Sequence, residues 1–319
     1  MKHHIFRGLR IAVGMAALAV PQIALAQDDV KFAIVLPGVI TDNSFNQAGY
    51  EGALAASEAL GLEMAYSEKV AQPDQPEALA DYARRGYNVV IGHGSEFQDA
   101  AERVARRNPD TSFLVVNGSE ASDNISTVGY NYRHLAYGLG LTAGEMSESG
   151  IGGFVGGQPI PFSTDLLEGY TAGFMAANPD GQVLSAWTSD WDDVAKGKEA
   201  TLNLISQGAD IIFPTMDNAT IGSLQAMQEQ GVQGFGIYYD AIEDWPDVIL
   251  QSAIFDLSGA MTAVLSNIED GTLPSQAYEF GFETPEAARF GTFHSEVSAA
   301  VQDKVNAAIA GMIAGEINP

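Results

Sequence analysis

The sequence predicts an α/β protein of two doubly wound Rossmann-like lobes joined by a multi-strand hinge, and three observations carry that prediction. Short apolar, β-rich runs alternate with helical patterns along almost the whole chain, the signature of parallel βαβ units. The alternation restarts after a long helical stretch at 134–148, leaving two sets of units of about 100 residues each. The 319 residues, 46% of them hydrophobic and 34 of them glycine, are too many for one simple core and too apolar for a disordered acidic chain. An eight-fold barrel has the same alternation and stays open as the alternative. The helix at 134–148 and a later strand at 248–254 read as connections between halves and favour two lobes.

The first set opens with a continuous buried strand at 31–36 (KFAIVL) and a Pro-Gly turn. An Ala-rich helix at 44–60 follows, with Phe45, Ala48, Ala53, Ala56 and Leu60 near helical spacing, and Gly61 stops it. A weak strand at 63–67, a helix near 75–85, a strand at 88–91, a helix near 96–107 and strands at 112–117 and 125–130 complete it. The second set has strands at 152–155, 182–187, 211–214 and 233–238. Helices at 164–177, 194–207 and 220–230 separate them.

Composition and the N-terminus bound the function. Fifteen Lys+Arg against 41 Asp+Glu give a formal charge of −26, which repels phosphate backbones and excludes nucleic acid as a partner. The absence of Cys removes disulfides, thiolate nucleophiles, Cys-bound zinc and Fe–S clusters. Residues 1–10 carry Lys2, Arg7 and Arg10 and no acid, 11–26 are apolar apart from Pro21 and Gln22, and Ala24-Leu25-Ala26 is an A-x-A site. This reads as a secretory signal peptide over 1–26, cleaved after Ala26. Its removal takes away three cations and no anion, moving the charge from −26 to −29. The expected product is soluble and periplasmic, with no lipid anchor. Its acids read as solvated surface spread over helices and loops rather than as a sign of a metal or a cationic substrate. Only Asp42, Asp217 and Asp240 are admitted to the site.

Enzyme signatures are missing: there is no HExxH, GxSxG or Walker A, and beyond the leader only His93, His134 and His294 remain. Lys196-Gly197-Lys198 lacks the upstream glycine of a phosphate cradle. The run at 150–157 (GIGGFVGG) lacks dinucleotide spacing and reads as close strand packing at a ligand edge. Asp190, Asp192 and Asp193 miss the spacing of a calcium loop and read as acids at the N-terminus of the next helix. No metal and no cofactor are expected.

Polar and aromatic residues instead gather where strands hand over to helices, the crevice at which open α/β sheets bind ligands. These are Asp42, Phe45 and Asn46 after the first strand, His93 after the third, Asn117 after the fourth, Trp191 in the second half, Asp217 after Phe213-Pro214, and Asp240 after Ile237. An Asp at such an edge either caps the next helix or accepts two hydrogen bonds from a diol. An aromatic from each half would sandwich a planar ring.

With these residues, the chain resembles the basic membrane protein family of ABC-transporter substrate-binding proteins, purine-nucleoside receptors of the type I periplasmic-binding-protein fold. The resemblance is carried by Asp42-Asn43-Ser44-Phe45-Asn46-Gln47 with Glu51-Gly52, by Phe154-Val155-Gly156-Gly157, by Asp190 to Asp193 running into Ala195 to Ala200, and by Gln207-Gly208-Ala209-Asp210. It implies that Phe45 and Trp191 stack on the two faces of a purine, that Asp240 holds the ribose hydroxyls, and that Asp42 and Asn46 line the same mouth. Trp191 stands where the family has Phe, and Asn117 where it often has Asp. Phe255 stands where a lysine would donate to a 6-oxo group, which turns preference toward adenosine, a free base or another flat ligand.

The function so implied is capture of a purine nucleoside or related flat heterocycle by a monomeric receptor that delivers it to an ABC transporter permease. The alternatives are a sensor feeding a membrane signalling receptor and, third, a nucleoside-processing enzyme. Expected lobes are 27–131 plus 255–276 and 132–254 plus 277–319, with hinge crossings near 130–132, 254–256 and 276–279.

Overall fold

The computed structural model describes residues 30–41 and 45–319; the leader at 1–26 and Asp42 lie outside the described residues. The first half runs β1 (Lys31–Val35), α1 (Phe45–Leu60), β2 (Glu63–Ser67), α2 (Gln75–Arg84), β3 (Val89–His93), α3 (Gln98–Ala105), β4 (Ser112–Val116) and β5 (Ile125–Tyr130). The second half begins with α4 (Tyr132–Met146). It continues through β6 (Ile151–Gly156), α5 (Pro161–Ala177), β7 (Gln182–Trp187), α6 (Val194–Ser206), β8 (Ile211–Thr215), α7 (Ala219–Gln230), β9 (Gln233–Ile237) and β10 (Ile249–Phe255). The chain ends with α8 (Leu257–Leu265), β11 (Ala277–Phe280), β12 (Ala288–Phe290) and α9 (Ala299–Ile313).

These strands form two separate six-stranded sheets, ordered β11-β5-β4-β3-β1-β2 and β12-β10-β9-β8-β6-β7, which removes the single barrel. All pairings are parallel except β10 with β12. Apolar runs explain the inner strands: β3, β4 and β8 are buried at every residue, as a sheet covered by helices on both faces requires. The edge strands β2 and β7 have no fully buried residue and mix exposed with half-buried positions. In each sheet the order reverses beside one inner pair, β1/β3 and β6/β8, and an open α/β sheet leaves its ligand crevice at that point.

The halves exchange parts. Helix α4 leaves β5 and packs on α5, α9 and β10 of the second lobe, while α8 leaves β10 and packs on α1 of the first. Both crossings are helix caps: the Asn131 side chain accepts from His134 N–H, and the Asp256 carboxylate accepts from the N–H groups of Ser258 and Gly259. Helices α4 and α5 lie close because Gly140 and Gly144 face Gly169 and Gly173. A Cβ on any of the four would meet a carbonyl of the opposite helix.

Four expectations are corrected. The helix at 134–148 and the strand at 248–254 are not connections; α4 and β10 are full members of the second lobe, and the chain crosses at their ends. Residues 277–280, expected in the second lobe as part of 277–319, form β11 and pair with β5 in the first sheet. The third crossing therefore follows Phe280 rather than lying at 276–279, and Phe255, expected in the first lobe, closes β10 of the second sheet. Helix α8 and strand β12 have no counterpart among the expected elements, whereas β11 overlaps the hinge crossing expected near 276–279. No helix of the described residues is long and apolar enough to cross a membrane.

Candidate functional site

A cavity of about 290 Å³ opens between the lobes, against the switch points of both sheets. The first lobe lines it with Pro37, Gly38, Phe45 and Asn46 after β1, Gly94, Ser95 and Glu96 after β3, and Asn117 after β4. The second contributes Ile160 and Phe162 after β6, Trp191 and Asp192 after β7, Asp217 after β8 and Tyr238 after β9. Each residue follows the carboxyl end of a strand, so the sheets aim the side chains and the loops only finish their orientation.

Phe45 is set by a stack behind it. Its ring lies 3.9 Å from the His93 imidazole at an interplanar angle of 21°, and His93 Nε2 is 2.8 Å from the Phe45 carbonyl oxygen. The imidazole is buried, packed where a Cβ on Gly49 would strike it. His93 therefore props the aromatic face and does not line the cavity. Asn46 is turned by Gly38, whose N–H donates to its Oδ1 at 2.9 Å.

Trp191 is set on three sides. Its carbonyl accepts from the N–H groups of Asp217 and Ala219, each at 3.0 Å, which ties the loop after β7 to the start of α7. Its indole rests on Gly157, where a Cβ would collide with the ring, and stacks on Phe162 at 5.7 Å and 20°. Just upstream, the Asp190 carboxylate accepts from Asp192 N–H, Asp193 N–H and Lys196 Nζ. Those bonds, the Asp192 N–H first, hold its pKa below the usual range. Asp193 caps α6, accepting from Ala195 and Lys196 N–H. Among the described residues no group of three His, Cys, Asp or Glu is placed to hold a metal ion.

The remaining polar groups combine amide, hydroxyl and carboxyl side chains. Asn117, left-handed at φ 56°, accepts at Oδ1 from the Tyr132 hydroxyl at 2.6 Å. Tyr238 is also left-handed, at φ 73°, a conformation that costs a bulky residue roughly 1–3 kcal/mol and marks a constrained position. Burial raises its hydroxyl pKa, and the negative field of Asp217 adds to the rise. Glu96 folds over Gly94, whose φ of 127° and missing Cβ make room for the carboxyl. The Glu96 residue is exposed overall, yet enough protein surrounds the carboxyl to raise its pKa by burial. Asp192 Oδ1 accepts from Asn218 Nδ2 at 3.0 Å.

Five of the expected residues thus meet in one cavity: Phe45, Asn46, Asn117, Trp191 and Asp217. His93 stands behind Phe45. Asp240 does not line the cavity; its Oδ2 accepts from Thr292 N–H at 2.9 Å, and its Oδ1 is buried without a hydrogen-bond partner. Phe255 is 4% exposed and lies behind the wall, against Tyr130 at 5.2 Å, Tyr132 at 5.1 Å and Tyr238 at 6.2 Å. Glu96, Phe162, Tyr238 and Asp192 also line the cavity and were not among the expected site residues, although Asp192 lies within the Asp190 to Asp193 motif.

The family described as "ABC transporter substrate-binding protein PnrA-like" matches residues 29–308. A transcriptional activator protein of Bacillus subtilis is 25% identical over 279 residues, 86% of this chain and 86% of that one. A purine-binding protein of Brucella abortus is 27% identical over 263 residues, 82% of this chain and 75% of that one. Among solved structures, an ABC transporter solute-binding protein from Conexibacter woesei superposes with a TM-score of 0.72 at 26% identity, covering 91% of this chain and 98% of that one.

Proposed function

Because this chain belongs to the PnrA-like family of ABC transporter substrate-binding proteins, we propose that it captures a purine nucleoside or a related flat heterocycle between its lobes for an ABC importer. The observation that carries the reading is the pair of braced aromatic faces, Phe45 on His93 from one lobe and Trp191 on Phe162 from the other, bordering one cavity. Rings set in this way offer stacking on a planar ligand, about 0.5–1.5 kcal/mol per contact beyond burial. The purine-binding relative supports the same ligand class. In this reading Asp217, one of the carboxylates lining the cavity, accepts from a diol, Asp240 being bonded to Thr292 outside it.

In this reading the chain works as a monomer in the periplasm, released by cleavage after Ala26, and hands its ligand to a membrane permease. Closing three crossings around the cavity commits the ligand, and no bond is made or broken. Calorimetry of the purified mature protein against adenosine, inosine, guanosine and their free bases tests the proposal, with native mass spectrometry asking what small molecule accompanies the protein. Binding of at least one purine with 1:1 stoichiometry is expected. Absence of heat with every purine, together with a non-purine molecule in the native spectrum, overturns it.

A further inference from the structure

Beside the cavity already described lies a second one of about 290 Å³, and it too is walled by both lobes. We infer that it is the other half of the same binding site: the ligand is a flat heterocycle bearing a second, uncharged group of ring size, and that group enters this chamber. The inference rests on the reading of the first cavity as the ligand site and extends the molecule held there. Ser95 and Asn117 from the first lobe and Ile160 and Phe162 from the second line both cavities, so the two adjoin across a neck built by two residues from each lobe. Its wall is fixed on both sides. Asn117 Oδ1 accepts from the Tyr132 hydroxyl at 2.6 Å, and the Phe162 ring lies 5.7 Å from Trp191 of the first cavity and 5.5 Å from Tyr132 of the second. One cavity of this size stands at the lower limit of the range of about 300–1,000 Å³ for small-molecule sites, and the pair lies well inside it.

The floor of the chamber includes a gap in a strand. Gly129 lies on the same face of β5 as Thr127, both line the chamber, and a Cβ on Gly129 would meet nothing within 4 Å. A glycine inside a strand marks a bulge, a bend or the close approach of a backbone or a ligand. Strand β5 keeps regular parallel register with β11 through Gly129, and no protein backbone comes near it, which leaves the ligand. The walls decide the chemistry of the group that enters. Phe162, Tyr132 and Tyr278 bring aromatic surface, and Ser95, Ser119 and Thr127 bring hydroxyls. Asn117, its oxygen engaged by Tyr132, has amide N–H groups to give. Among the described residues no Lys, Arg or His lines the chamber, and the Asp165 carboxylate on its wall is paired with Arg133 at 2.8 Å. A phosphate would enter without a lining cation to meet it. An uncharged ring buries apolar surface and finds hydroxyl and amide partners for the oxygen or nitrogen atoms it carries.

Calorimetry compares adenosine with N6-benzyladenosine and 5′-O-benzoyladenosine, which carry an uncharged ring at opposite ends of the same nucleoside. At least one of the two is expected to bind about tenfold more tightly than adenosine, the gain from burying the added ring. Adenosine monophosphate is expected to gain nothing over adenosine. Gly129→Leu, whose Cβ meets no protein atom and whose side chain fills the chamber, should abolish the gain and leave the Kd for adenosine within about threefold of the wild type. Gly129→Val, with a residue type that strands favour, stands in if Gly129→Leu fails to fold. The inference is overturned if neither derivative binds more tightly than adenosine, or if the gain persists in the folded variant. Native mass spectrometry separates it from the purine reading. A co-purifying molecule that is not a purine, has two ring-sized parts and is lost from Gly129→Leu keeps the second chamber and fells the purine reading. Binding of adenosine with no gain for either derivative does the reverse. If no purine binds and no such molecule accompanies the protein, the inference falls as well.

Discussion

Trp191 is held in the cleft by a residue with no side chain. Its indole occupies the space that a Cβ on Gly157 would claim, so Gly157→Ala is expected to act as a remote Trp191 variant. Both Gly157→Ala and Trp191→Ala should weaken ligand binding by roughly 1–3 kcal/mol, the range for loss of a base-aromatic stack. Calorimetry reads the loss, and a blue or red shift of tryptophan emission in Gly157→Ala reads the displaced ring. Phe255 carries the opposite lesson. The family resemblance implied that a lysine there would reach a 6-oxo group, but the side chain is enclosed by three tyrosines. Phe255→Lys should therefore cost roughly 3–5 kcal/mol of stability, as an unpaired buried charge does, measured by urea denaturation, with no gain for inosine over adenosine. Phe45, Asn46, Asn117, Trp191 and Asp217 were legible because strand ends announce themselves by apolar runs that stop at polar or aromatic residues. Glu96 was hidden by resembling a helix-start acid. Tyr238 was hidden as the last apolar residue of a strand, since a left-handed φ leaves no mark on residue type.

At the scale of elements, most strands and helices were readable within one or two residues; β2, β5 and β7 match their expected ranges. Their apolar periodicity is local and strong. The later elements escaped for physical reasons: α8 (LSGAMTAVL), packed on α1, has small or apolar residues on nearly every side, which blurs its stripe. Strand β12 has three residues, too short for a period to show. The caps at the crossings matter more than their size suggests. Asp256 closes α8 and also receives Arg289 at 3.1 Å. Asp256→Ala is expected to lower stability by roughly 0.5–2 kcal/mol, seen as a lower urea midpoint. Because the lost cap sits at a crossing, the variant should also change ligand affinity, which an equivalent loss at Asp193, away from the crossings, should alter through Trp191 alone.

At the scale of the molecule, a ligand seated between two lobes ties them together, so binding and stability are linked. At free ligand 100 times Kd, the folded form should gain about 2.7 kcal/mol. A thermal melt should then rise by several degrees as one transition rather than two, and small-angle scattering should show a smaller radius of gyration. Two separate transitions in the presence of saturating ligand would show that the lobes close independently of it. The two-lobe architecture was legible because the βαβ rhythm visibly restarts. The exchange of parts was not, since pairing between distant segments leaves no periodic trace in either.

That exchange sets a clock. The first sheet gains its last strand from β11, and the Ser275 hydroxyl reaches the Ile125 carbonyl from 150 residues away. At ribosomal rates of about 5–20 residues per second, the first half of the chain waits roughly 8–30 s for the strand that finishes it. Throughout that interval β5 presents an open edge to whatever strand meets it first.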